Sequence, residues 1–437
     1  MNRRLLGNAF RVAAISGLVG ISLLLQESAL AYRFGVSDSL AAFQVAFLWV
    51  SQLWNVLAGG TLLAVLVPAF VWARANLGPE SASIAFSVLS GRLLVLAAVA
   101  SAVLAIAVPA LYKSPVSGLP TREAELAAML FATMAPSFAL QALSWIAQVR
   151  LNVEGRFALA AFTPAFSPLA AVVATLAFAD RVGVLAPALG ILAGQVLQTA
   201  VLMLALPRHH RLRLRDVFST SDSAPIRVFF QDYFLLVAAA LLLSGVFWVD
   251  QATAARLGAE SIARLAYANR PVLLFTAIAT VAVANVALPN FTEYAAIRNR
   301  AELRGQLGRI ALWLVAISVI ALPIWALLAP QIVAILYQRG AFSALDAERV
   351  SDVQRWAIMQ IPFYLLAVLA WRMLNALKAN GVIVVGTAAC FLVNLVLNPP
   401  LASAWGERGI LAATSIAFAV WALMLVVALR KRLNQSA

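Results

Sequence analysis

The sequence predicts an all-α integral membrane protein of about twelve transmembrane helices, built as two six-helix lobes around a central cavity. Three observations predict it. Composition comes first: 63% of the 437 residues are hydrophobic and only 11% charged, with mean hydropathy +0.91, whereas soluble domains are roughly half apolar and about a quarter charged. Apolar runs also recur at the ~20 residues needed to cross a bilayer core, without the every-second-residue alternation of a barrel strand. The third observation is an internal repeat. Residues 33–70 open on Arg33 and Gly35 and close on Pro68 and Phe70; a degenerate copy runs from Arg256 and Gly258 to Pro289 and Phe291. Pro136, Trp145 and Gly155 return as Pro362, Trp371 and Gly381 with the same internal spacings. Tandem halves, residues 1–215 and 216–437, follow from these landmarks, and two halves of a membrane protein imply a cavity between them.

The twelve segments are expected at 9–32, 40–73, 85–111, 124–149, 157–179, 183–206, 228–254, 260–291, 308–336, 350–376, 381–402 and 408–429. Segments 2 and 8 exceed one crossing and are expected to tilt or bend. Gly59-Gly60 in segment 2 permits a bend, or close packing against a neighbouring helix. Pro136, Pro164, Pro168 and Pro187 lie among segments 4 to 6, where prolines are tolerated if neighbours satisfy the freed carbonyls.

Charge sets the topology. The net charge is +14, but the basic residues sit between the segments. With a cytoplasmic N-terminus, 21 of the 32 Lys and Arg fall on the inside, which predicts both termini in the cytoplasm. The basic run at 207–227 is read as a cytoplasmic loop and not as a nucleic-acid patch. His209 and His210 lack companions at ligand spacing. The first segment reads as a span and not as a removable signal. Cys390, the one cysteine, excludes an intrachain disulfide. Phosphate-binding loops, zinc-protease signatures and nucleophile elbows are absent from the sequence, which excludes ATP-driven transport within this chain. Composition alone does not exclude catalysis, but no carboxylate pair or nucleophile–base arrangement stands out, and the chain is read as a transporter, not as an enzyme.

Polar residues inside the segments are the functional candidates. Segment 1 carries Gln26 and Glu27, segment 2 Gln44, Gln52 and Asn55, and segment 8 Arg264, Asn269 and Arg270. Glu27 could instead reach the headgroup region or pair with Arg33. Segment 7 holds Asp232 and Asp250. Segment 11 places Asn394 and Asn398 four apart on one helical face, and segment 12 offers Thr414 and Ser415. Asp250, Asn394, Asn398 and Thr414 form a hard-cation ligand set for Na⁺, or a proton relay, if their helices meet; interhelical hydrogen bonding is the alternative. No other cofactor is expected.

RFGVSDSLAAFQVAF, GGTLLAVLVPAF, LAYANRPVLLFTAIATVAVANVALPNF and LYQRGAFSALD, in that order, resemble the MurJ/MviN lipid II flippases of the multidrug/oligosaccharidyl-lipid/polysaccharide exporter superfamily. The resemblance implies alternating access between two lobes, and carriage of a lipid-linked glycan precursor across the bacterial inner membrane without ATP. Arg270 matches the family's eighth-helix cavity arginine, and Glu27 an acid on its first helix. Other cavity positions depart: the first-helix arginines fall on Gly20 and Gln26, and an acid before Arg270 is Asn269. The family's last two helices have no counterpart in these 437 residues.

The sequence therefore leads to a flippase for lipid II or a related polyprenyl-diphosphate oligosaccharide. Arg270, helped by Arg264 or Arg33, contacts the diphosphate, with Gln26, Glu27 and Asn269 completing the substrate site; Glu27 and Asp250 bias the two states. Partners are the lipid-linked glycan and membrane lipids, with no nucleic acid. Two rivals stand beside it: a cation-coupled drug or metabolite antiporter of the same superfamily, and a transport-inactive scaffold for a glycan-synthesis enzyme.

Overall fold

The computed structural model describes residues 3–57, 79–114, 117–153, 156–206, 224–296, 300–377 and 379–434. Gly59-Gly60, Pro68, Phe70, the two histidines and the 215/216 boundary lie outside them. The described residues contain helices and no strand, as a bilayer requires of a chain that does not close into a barrel.

By Cα packing the chain divides into two compact units: Met1–Arg33 with Asp38–Ser244, and Phe34–Ser37 with Gly245–Ala437. The division falls inside a continuous helix.

In the first unit, α1 (Arg3–Phe34), α2 (Asp38–Leu57) and α3 (Pro79–Tyr112) are followed by α4 (Thr121–Met134) and α5 (Ser137–Val153). The break between α4 and α5 falls at Ala135-Pro136, where Pro136 cannot donate a helical N–H. Next come α6 (Phe157–Phe162), a 3₁₀ turn at Thr163–Ala165, α7 (Phe166–Val182) and α8 (Leu185–Ala205). An edge-to-face chain of Trp49, Tyr112 and Phe131 packs this unit's interior. Helix α9 (Ala224–Leu257) closes it; Ser244 of α9 donates to Gln52 Oε1 at 3.2 Å.

The rest of α9 belongs to the second unit, with α10 (Ala259–Ala296), α11 (Arg300–Tyr337) and α12 (Ala344–Ala357). A 3₁₀ turn at Ile358–Gln360 precedes α13 (Ile361–Ala376), and α14 (Asn380–Trp405) and α15 (Glu407–Asn434) follow. Pro362 stands in the first turn of α13. The two repeat prolines, Pro136 and Pro362, thus occupy matching helix breaks. Tyr364, Trp371, Phe418 and Trp421 form this unit's aromatic core.

A second correspondence was not read from the sequence. The α7–α8 hairpin turns on Gly183 (φ 58°, ψ −140°) and the α14–α15 hairpin on Gly406 (φ 62°, ψ −140°). Positive φ favours glycine at both. Each hairpin packs backbone to backbone through a further glycine: a Cβ on Gly194 would clash with Phe166 O, and one on Gly409 with Leu401 O. Small residues permit such close approach in membranes.

Nine stretches among the described residues are long and apolar enough to cross a membrane. They correspond to the expected segments 3 to 7 and 9 to 12. Exposed large apolar side chains, such as Val173, Ile106 and Val396, make a surface suited to lipid.

Candidate functional site

The second unit brings together the four residues that sequence spacing singled out. Asp250 is contributed by α9, Asn394 and Asn398 by one face of α14, and Thr414 by α15; none is more than 4% exposed. Asn394 Nδ2 donates to Asp250 Oδ1 at 3.0 Å and Asn398 Nδ2 to the same oxygen at 2.6 Å. Thr414 Oγ1 lies 2.7 Å from Asp250 Oδ2. Gly245, five residues before Asp250, allows the approach: its Cβ would stand 2.7 Å from the Phe391 ring of α14.

Two features give this cluster chemical capacity. Asn394 Oδ1 and Asn398 Oδ1 are buried without a hydrogen-bond partner, and buried polar groups are otherwise nearly always satisfied. With the carboxylate and the Thr414 hydroxyl they supply the oxygen ligands a hard cation prefers. Thr414 also has one proton and two acceptors, Asp250 Oδ2 and Ile410 O at 3.0 Å. If Thr414 donates to Ile410, its contact with Asp250 requires the proton to come from the acid. Neutralisation by a proton or by a cation is thus available to a carboxylate that has no ion pair among the described residues.

The other sequence candidates lie on α1 and α10. Arg264, on α10, donates from Nε to Glu407 Oε1 at 2.9 Å and from Nη1 to Glu260 Oε2 at 2.8 Å. Arg33 donates from Nη1 to Asp180 Oδ1 at 3.0 Å and from Nη2 to Leu176 O at 2.8 Å, joining α1 to α7. Both guanidinium charges, expected to assist Arg270, are already met by carboxylates. Glu407 and Asp180 lie 143 and 147 residues away in sequence, so no local pattern announced them.

Glu27 is 1% exposed, too buried to reach a headgroup, and accepts from Gln44 Nε2 at 3.0 Å. Gln26 beside it is 2% exposed, with its Nε2 unpartnered. Arg270 is half-buried on α10, and Asn269 next to it accepts from Gln360 Nε2 at 3.1 Å. Pro271 follows Arg270 and removes the helical donor to Tyr267 O. The Tyr337 hydroxyl of α11 supplies one at 3.4 Å. The backbone irregularity beside Arg270 is therefore held from a neighbouring helix.

The sequence description of the family "Lipid II flippase MurJ" matches residues 30–436, across both units. The chain belongs to the MurJ lipid II flippase family. Among solved structures, a MurJ lipid II flippase in an inward closed conformation superposes with TM-score 0.78 at 22% identity, covering 96% of this chain and 87% of that one. An inward-facing multidrug resistance MATE family transporter of the MOP superfamily superposes with TM-score 0.75 at 15% identity, covering 98% of both chains. A MOP superfamily transporter from Pyrococcus furiosus gives TM-score 0.68 at 15% identity, covering 98% of this chain and 95% of that one. At these identities the structural likeness shows the fold: this is a multi-pass membrane protein with the MurJ/MATE-like architecture. No curated protein sequence matches the chain.

Proposed function

We propose that this MurJ-family protein is a flippase that carries a polyprenyl-diphosphate-linked glycan precursor across the bacterial cytoplasmic membrane by alternating access of two lobes. The observation that carries the proposal is membership of the lipid II flippase family over residues 30–436. Physical need agrees: a diphosphate-sugar headgroup cannot cross hydrocarbon unaided, and a half-buried arginine in a span is a costly feature kept for function. Arg270 is the diphosphate contact, as a charge-assisted donor, with Asn269 beside it on the same helix. Asp250, Asn394, Asn398 and Thr414 take Na⁺ or a proton and bias the states, since a bound ion shifts an equilibrium by its differential affinity. Both termini face the cytoplasm.

The full-length match to a MATE transporter, 98% of both chains, supports a second reading, a cation-coupled antiporter for small amphiphiles. Complementation separates the two. A bacterium depleted of its lipid II flippase is supplied with this chain, its membrane level verified: growth supports lipid II as cargo, and failure together with ethidium efflux supports the antiporter.

A further inference from the structure

Among the nine spans found in the described residues, α11 is the least buried, with only 6% of its apolar window covered by protein. Its residues 320, 324, 327, 331 and 334 follow a helical stripe, with Gln338 just past its end. Ile320, Ile324 and Leu327 are exposed and apolar; Gln331 and Gln338, further along, are polar. Where the stripe changes character, a groove of about 710 Å³ opens between α11, α12 and the start of α15. Pro330 on its wall removes the helical donor to Ala326 O, and Arg355 of α12 replaces it, donating from Nε at 3.1 Å. That bond fixes the guanidinium, while Nη1 and Nη2 make no hydrogen bond among the described residues.

The remaining charges in the groove sort cleanly. Arg408 is paired with Asp352 at 2.7 Å, and Arg349 lies 4.0 Å from Glu260. Glu348 and Arg355 are left without an ion-pair partner among the described residues, seven residues and about 10 Å apart on one face of α12. Because α11 ends at Tyr337 and α12 begins at Ala344, Glu348 lies near the end of the span and Arg355 deeper, level with the apolar stripe.

We infer that this groove is a binding site for a zwitterionic phospholipid with a primary ammonium, the headgroup class of phosphatidylethanolamine. Its acyl chain lies along Ile320, Ile324 and Leu327, its phosphodiester accepts from Arg355 Nη1 and Nη2, and its ammonium meets Glu348. The depth order matches: in such a lipid the phosphate lies nearer the acyl chains than the ammonium. A soluble anion would not use the apolar stripe, and a purely anionic lipid would leave Glu348 facing like charge.

The test is native mass spectrometry of the delipidated full-length protein titrated with phosphatidylethanolamine or phosphatidylglycerol of identical chains. Wild type is expected to retain the first phosphatidylethanolamine about three-fold better, the scale of one exposed ion pair. Glu348→Lys, a change at an exposed position, reverses the preference, and Arg355→Gln weakens both lipids. An unchanged preference in Glu348→Lys would overturn the assignment. So would displacement of the lipid by millimolar inorganic phosphate, marking a free-anion site, or by polyprenyl diphosphate, marking a cargo subsite.

Discussion

Asn398 donates its side-chain amide to Asp250 at 2.6 Å from a position 148 residues later in the chain, while its own Oδ1 is buried without a partner. The same holds for Asn394, one turn earlier on α14. Two amides thus spend their donors on one carboxylate and leave two acceptors unused. In the account proposed here, a cation takes those acceptors when the amides turn over.

The first prediction concerns ion binding. Sodium chloride, against choline chloride, should raise the melting temperature of the purified protein, and a ligand at a hundred times its Kd stabilises by about 2.7 kcal/mol. Asp250→Asn should abolish the shift. If a proton is the coupling ion, stability depends on pH in wild type and not in Asp250→Asn. Equal sodium and pH responses in the two proteins would remove Asp250 from coupling.

Arg270 and Arg264 should separate by mechanism. Arg270→Ala is expected to abolish transport at normal melting temperature and membrane level, with Arg270→Lys only partly active because the bidentate fork is lost. Arg264→Ala leaves Glu407 without its cation and should lower the melting temperature. Measured in parallel, transport and thermal melting would refute the division if Arg270→Ala kept full activity.

Glycine substitutions should rank by what a Cβ meets. Gly409→Ala drives a methyl against Leu401 O, a backbone atom that cannot rotate away, and overpacking of this kind costs about 1–3 kcal/mol. Gly381→Ala meets nothing within 4 Å and should be neutral or slightly stabilising, since alanine is the better helix former. Melting temperatures of equal size in both variants would contradict the close packing of α14 on α15.

Tyr337 and Pro271 should be coupled. Loss of the Tyr337 hydroxyl in Tyr337→Phe should cost about 0.6 kcal/mol, the average for a hydrogen bond between membrane helices. Pro271→Ala restores a helical donor to Tyr267 O, so the cost of Tyr337→Phe should shrink in that background. A double-mutant cycle with no coupling energy would show that Tyr337 acts through packing alone.

Much of this was legible in the sequence because membrane helices announce themselves locally. Expected segments 11 and 12 lie within a few residues of α14 and α15, and Pro136 and Pro362 mark real helix breaks. The Asp250 set was readable because Asn394 and Asn398 stand four apart on an apolar helix and Asp250 and Thr414 interrupt apolar spans. The partners of Arg33 and Arg264 were not, because Asp180 and Glu407 reach them only through tertiary packing. Division of the chain inside α9 was equally hidden: a continuous apolar helix gives no sign that Ser244 packs with one unit and Gly245 with the other. Gly183 and Gly406 did carry a signal, a glycine between two long apolar runs at matching places in the halves, which the prolines and tryptophans overshadowed.

The most direct test of the central claim is headgroup translocation in proteoliposomes. A polyprenyl-diphosphate glycan is placed in one leaflet, a sodium gradient or membrane potential is imposed, and arrival of the headgroup in the other leaflet is read with a membrane-impermeant glycan-modifying enzyme. The account predicts translocation by wild type, none by Arg270→Ala, and loss of the gradient response in Asp250→Asn. Translocation by wild type no faster than in protein-free liposomes, with the protein folded and correctly inserted, would contradict it.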